Sequence, residues 1–260
     1  LIQKKKLKKN PEIEIAIIRL PSISNFSDID PLEYEDSVNI KWINLGESLG
    51  DPDAVIIPGS KQTIKDLLKL KSSELFIEIQ NFAHKGGFTF GICGGMQIMG
   101  KSLEDPLGLE NSDSKVKEKY FKGMDLIPIR TIFNKQKSLV QREVKMNWPI
   151  ATTVKGFELH HGESFPINGE EEKLLSISNS EGLGWVCKKN EDYRIAGTYL
   201  HGVFDNGYWR RNWLNKIRQS KGLNNLKIIQ THHSDSVNNS LNILANSFEK
   251  YVDITPLLKD

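Results

Sequence analysis

Two hydrophobic regimes divide this chain. Compact apolar runs at residues 14–19, 54–57 and 88–92 have no polar face and the length of strands buried on both sides. Residues 38–43 alternate apolar and polar and predict a further strand. Residues 58–68 make a tight turn into an amphipathic helix with Ile64, Leu67 and Leu68 on one face; a second helix over 74–85 stops at Gly86 and Gly87. Strand–helix alternation with short loops up to residue 100 predicts a parallel α/β sheet, with ligands at the C-terminal edges of its strands. Beyond it the pattern loosens. Residues 105–108 form a turn, 111–119 a charged exposed loop, and 125–133 and 135–145 have strand-like polarity. Residues 183–187 and 193–200 read as strands, and 207–221 as a helix with Trp209, Trp213 and Ile217 on one side. A C-terminal helix over 236–251 follows the period Val237, Leu241, Leu244, Phe248.

Composition narrows the class. With 260 residues, 38% hydrophobic and 26% charged, the chain is an ordinary globular one, long enough for a sizeable core. A net charge of +2 argues against a dedicated nucleic-acid binder. No apolar run approaches the roughly 18 residues of a membrane span. Two cysteines, Cys93 and Cys187, make no disulfide framework and suit the reducing cytosol. Residues 1–12 open with a lysine-rich stretch and no apolar core behind it, as a linker from a further N-terminal domain would. Residues 13–221 form the expected main domain, and 222–260 an extension with one helix.

Candidate chemistry gathers at three strand ends. In Phe88-Thr-Phe-Gly-Ile-Cys-Gly-Gly-Met-Gln, Cys93 sits between an apolar strand and a helix start, with Gly91, Gly94 and Gly95 permitting a sharp turn. This is the thiol form of a nucleophile elbow, at a helix end whose dipole favours an anion. A Cys nucleophile needs a base near in space, and His201, closing the 193–200 strand ahead of Gly202, is the candidate. The turn at Pro58, Gly59 and Ser60 offers backbone N–H groups to a ligand, or is an ordinary capped turn. Residues 21–31, with proline at both ends, are either a functional loop or a surface excursion. A metal site from His160, His161, His201 and Cys93 is disfavoured, because adjacent histidines on a strand point to opposite faces. Neither phosphate-binding glycine motif occurs.

Four blocks in this order, 58–67, 91–100, 156–162 and 197–206, resemble those of class I glutamine amidotransferase domains, and more narrowly the glutaminase half of the cobyric acid synthase family. Residues 19–32, Arg-Leu-Pro-Ser-Ile-Ser-Asn-Phe-Ser-Asp-Ile-Asp-Pro-Leu, resemble that family's entry segment and separate it from relatives that amidate other acids. The resemblance implies a flavodoxin-like fold with a mostly parallel central sheet and helices on both faces. It implies glutamine as substrate, Cys93 as nucleophile, His201 as proton carrier, and N–H groups of Gly59 and Gly94 as oxyanion hole. Gln97, Ser60 and His160 would contact substrate. The family's usual glutamate two residues after the histidine is Val203 here, which leaves Asp205 or Glu158 to orient the imidazole, or a bare Cys–His dyad. ATP and Mg²⁺ would belong to an N-terminal synthetase domain that takes the ammonia to a corrinoid acid; this chain itself would hold no cofactor and no metal. The competing expectations are a glutaminase serving another ATP-dependent amide ligase, a non-catalytic sensor on the same fold, and a cysteine hydrolase for another amide.

Overall fold

The computed structural model describes residues 11–110, 118–189 and 192–251. Most of the 1–12 linker, residues 111–117 of the charged loop and residues 252–260 therefore lie outside the described residues.

The elements run β1 (Ile13–Ile18), α1 (Asp30–Glu33), β2 (Val38–Ile43), β3 (Ala54–Ile57), α2 (Thr63–Lys71), α3 (Leu75–His84), β4 (Phe88–Ile92) and α4 (Gly94–Met99). Then come β5 (Ser102–Glu104), β6 (Tyr120–Lys122), β7 (Ile129–Met146), β8 (Thr152–Pro166), β9 (Leu174–Ser176) and β10 (Gly184–Lys189). The last are β11 (Asp192–Thr198), β12 (Leu200–His201), α5 (Gly207–Ser220) and α6 (His233–Tyr251). Seven strands form the central sheet in the order β2-β1-β3-β4-β11-β10-β9. It is parallel from β2 to β11 and antiparallel beyond. The expected mostly parallel sheet flanked by helices is what the chain forms. Residues of β3 and β4 are buried throughout, as their unbroken apolar runs require.

A second sheet, β12-β8-β7-β5-β6, was not foreseen. The two strand-like stretches expected at 125–133 and 135–145 join, from Ile129 on, in one 18-residue strand, β7, with a register irregularity between Ile132 and Lys137. Residues 156–164, which include the 156–162 block, lie inside β8, which pairs antiparallel with β7 along most of its length.

The core beneath the strand end that carries Cys93 is aromatic. Phe90 of β4 packs its ring 5.4 Å from Phe204, 5.7 Å from Trp209 and 6.1 Å from Trp213. Trp209 Nε1 donates to the Trp148 carbonyl at 2.9 Å, so the buried indole leaves no donor stranded. This cluster ties α5 and the turn after His201 to the strand that carries Cys93. α6 forms where its period predicts, but Val237, Leu241, Leu244 and Phe248 remain 38–56% exposed.

Candidate active site

Cys93 follows β4 directly and caps α4 with φ 51° and ψ −113°. A non-glycine residue at such angles costs on the order of 1–3 kcal/mol and persists only where its surroundings enforce it. Two contacts enforce it here. The Cys93 N–H donates to the Thr198 carbonyl of β11 at 2.7 Å. Behind the turn, a Cβ added to Gly95 would fall 1.9 Å from the Ile57 carbonyl oxygen, so the elbow presses against the end of β3 with no room for a side chain. The thiol itself points to the Leu159 carbonyl of β8, 3.5 Å away.

His201 reaches the same rim by a different route. β11 runs parallel to β4 with Thr198 opposite Ile92, so both strands end together. The chain then crosses into the second sheet, where His201 pairs with Phe157 of β8. The Phe157 ring stacks on the imidazole at 5.1 Å and 19°. A Cβ on Gly59 would lie 3.2 Å from His201 Cε1, 3.7 Å from Cys93 Cβ and 2.5 Å from Ser24 Oγ. Cys93, His201 and Gly59, expected from separate motifs, thus border one point. Gly94, the first residue of α4, is adjacent and carries an N–H with no partner inside the helix.

The group on the far side of the imidazole was not anticipated. Asp28 Oδ2 lies 2.7 Å from His201 Nδ1, and Asp28 Oδ1 accepts the Gly202 N–H at 2.8 Å. The Asn25 amide also reaches Nδ1, at 3.1 Å. Both residues come from the 21–31 loop, which is therefore part of the site. Burial disfavours a charged imidazole, but the Asp28 carboxylate and the Cys93 sulfur outweigh it and push His201 up to about 10.

Asp205 and Glu158, the carboxylates expected to orient His201, are committed elsewhere. Asp205 takes the Ser234 N–H and hydroxyl, both at 2.8 Å, and so caps α6. Glu158 pairs with Arg142 and with His160 Nε2 at 3.1 Å. Burial works against its charge, yet those two hydrogen bonds hold its carboxyl below the ordinary range.

The three expected substrate contacts divide. Gln97 is buried with internal partners for its amide: Thr63 Oγ1 at 3.3 Å, the His161 carbonyl at 3.0 Å and Tyr199 OH at 3.1 Å. Ser60 Oγ donates to Asp66 Oδ2 at 2.6 Å and accepts the Gln62 N–H. Both side chains hold the scaffold together in this structure. His160 stacks on Tyr199 at 3.7 Å, on the face of β8 opposite His161. It lines a cavity of about 780 Å³ with Glu158, Trp185 and Tyr199, a cavity that neither Cys93 nor His201 borders. Among the described residues no group of three His, Cys, Asp or Glu side chains is placed to hold a metal ion.

An imidazole with one nitrogen on a carboxylate and the other free for a thiol is the arrangement of an activated cysteine nucleophile. The comparisons agree with that chemistry. Cobyric acid synthase of Prochlorococcus marinus strain NATL2A is 49% identical over 259 residues, covering 100% of this chain and 51% of the relative. That of Parasynechococcus marenigrum strain WH8102 is 47% identical, again covering 51% of its length. The chain thus spans about half the length of the curated relatives it matches. Among solved structures, PurLQS from Thermotoga maritima superposes with a TM-score of 0.54 at 15% identity, over 79% of this chain and 99% of that one. A crystal structure of a glutamine amidotransferase does so with a TM-score of 0.54 at 11% identity, over 80% and 99%. These show a shared fold. Residues 14–209 match the CobB/CobQ-like glutamine amidotransferase domain, and the chain belongs to that family.

Proposed function

We propose that this chain is the glutaminase portion of a cobyric acid synthase, releasing ammonia from glutamine for ATP-dependent amidation of corrinoid carboxylates. The observation that carries the reading is the pairing of Cys93, on its strained elbow, with His201 beside Gly59. In this reading the Cys93 thiolate attacks the side-chain amide carbon of glutamine. The tetrahedral oxyanion takes N–H hydrogen bonds from Gly59 and Gly94; loss of one such donor typically costs about 10²–10³ in rate. His201, protonated at both nitrogens, gives its Nε2 proton to the departing amine, so ammonia leaves and a glutamyl thioester remains. Neutral His201 then takes a proton from water at Nε2, hydroxide attacks the thioester, and glutamate departs as the thiolate returns.

The acceptor and its activation belong to the part of the relatives' length beyond this chain. There ATP and Mg²⁺ would activate the carboxylate, as amide formation from an acid and ammonia requires. The reducing cytosol, which keeps a nucleophilic thiol free, is the compartment this reading calls for. The test is amidation of adenosylcobyrinic a,c-diamide by the full-length protein with glutamine or ammonium as nitrogen source. Cys93→Ser should abolish the glutamine-supported reaction and leave the ammonium-supported one. Glutamine-supported turnover by Cys93→Ser would overturn the assignment.

A further inference from the structure

We infer that Asp28 is the positioning residue of the Cys93–His201 pair, holding the imidazole with Nδ1 protonated and Nε2 turned to the sulfur. The inference rests on the glutaminase reading and deepens it.

The chain needs such a group. Two residues after the histidine stands Val203, apolar and buried, and Asp205 and Glu158 are occupied by other partners. Asp28 meets the requirement with both oxygens. One holds the ring nitrogen, and the other holds the N–H of the next residue, so ring rotation and backbone are fixed together. Asp28 is 4% exposed and His201 1%. A carboxylate so deeply buried is costly unless a charge or several donors meet it. The donors that meet it are the His201 ring N–H and the Gly202 backbone N–H.

The tautomer follows from the donor inventory. An ionised carboxylate only accepts, so the proton shared at 2.7 Å sits on Nδ1. With its proton turned to Asp28, Nδ1 has no lone pair to accept from the Asn25 amide nitrogen 3.1 Å away. The only ring nitrogen left is Nε2, and Cys93 is the other side chain that bonds the imidazole. Around the ring stand Asp28 and Asn25 from the loop, Cys93 from the elbow, Gly59 from the β3 turn and Phe157 from β8. Of these, Asp28 and Cys93 alone titrate. The loop is shaped to deliver the carboxylate. Asn25 takes the left-handed conformation, φ 47°, which asparagine tolerates, and starts the 3₁₀ turn Phe26–Asp28. Phe26 pins that turn against Trp42 from outside, with centroids 5.7 Å apart.

The experiment is glutamine hydrolysis and iodoacetamide alkylation of Cys93, followed by peptide mass across pH, in the full-length protein bearing Asp28→Asn or Asp28→Glu. Thermal melts establish that each variant folds. Asp28→Asn should lower kcat at least about a hundredfold, with KM held within about threefold. The alkaline limb of alkylation, set by loss of the imidazolium, should move to lower pH by more than about one unit. Asp28→Glu, which keeps the charge, should recover most of the limb. A folded Asp28→Asn with wild-type kcat and limb overturns the inference, as does a limb equally displaced in both variants. Undiminished turnover in His201→Ala would instead overturn the glutaminase reading itself.

Discussion

At the scale of single residues, function depends on what cannot be added. A methyl group on Gly59 would displace the Ser24 hydroxyl, 2.5 Å away, and press on the His201 ring at 3.2 Å. Gly59→Ala should therefore lower glutamine hydrolysis by at least about 10², with the melting temperature moving little, since the displaced groups lie at the rim. A kcat within a few-fold of wild type would show that Gly59 is not beside the reacting carbonyl. His201 gives a second prediction, with a definite sign. Its folded value, about 10, lies above the ordinary 6.5, so protonation favours the folded state. The stabilisation is fully present below pH 6.5 and fades as pH rises through 10. Urea midpoints of wild type and His201→Gln should thus differ most at acidic to neutral pH and converge at alkaline pH. A difference that grows with pH would contradict the protonated pair. Cys93 and His201 were legible in the sequence because each stands in a strand-end motif with glycines. Asp28 was not: it lies 173 positions before the histidine, in a Ser-, Asn- and Asp-rich loop that any surface excursion resembles.

At the scale of elements, the two halves of the site share an aromatic foundation. Trp209, fully buried and packed on Phe90, joins α5 to β4. Trp209→Ala should cost about 3–5 kcal/mol of unfolding free energy, measured by denaturant titration; a loss under about 1 kcal/mol would mean that the cluster can collapse around the gap. The strands of this foundation were readable from unbroken apolar runs, and α5 from its tryptophan spacing. The second sheet was harder to foresee. β5, β6 and β9 are three residues each, too short for any period. β7 loses its alternation where polar residues 134–138 cross the irregularity, which read as a break between two strands. That sheet nonetheless supplies Phe157, Leu159 and His160, so half the walls of the site came from the part of the chain with the weakest pattern.

At the scale of the molecule, a parallel sheet ends its strands at one rim, and a second sheet folds over that rim. The thiol comes from the first sheet and the imidazole from the joint between the two. The resemblance in four ordered motifs carried the family, which the matches confirm over residues 14–209. The measurement that bears most directly on the whole account is the mass of the Cys93 peptide after the full-length protein reacts with the glutamine analogue diazo-oxo-norleucine. The account predicts one adduct, on the sulfur of Cys93, formed in step with loss of glutamine-supported amidation while ammonium-supported amidation continues. Loss of that activity with Cys93 unmodified, or an adduct on Cys187 in its place, would contradict it.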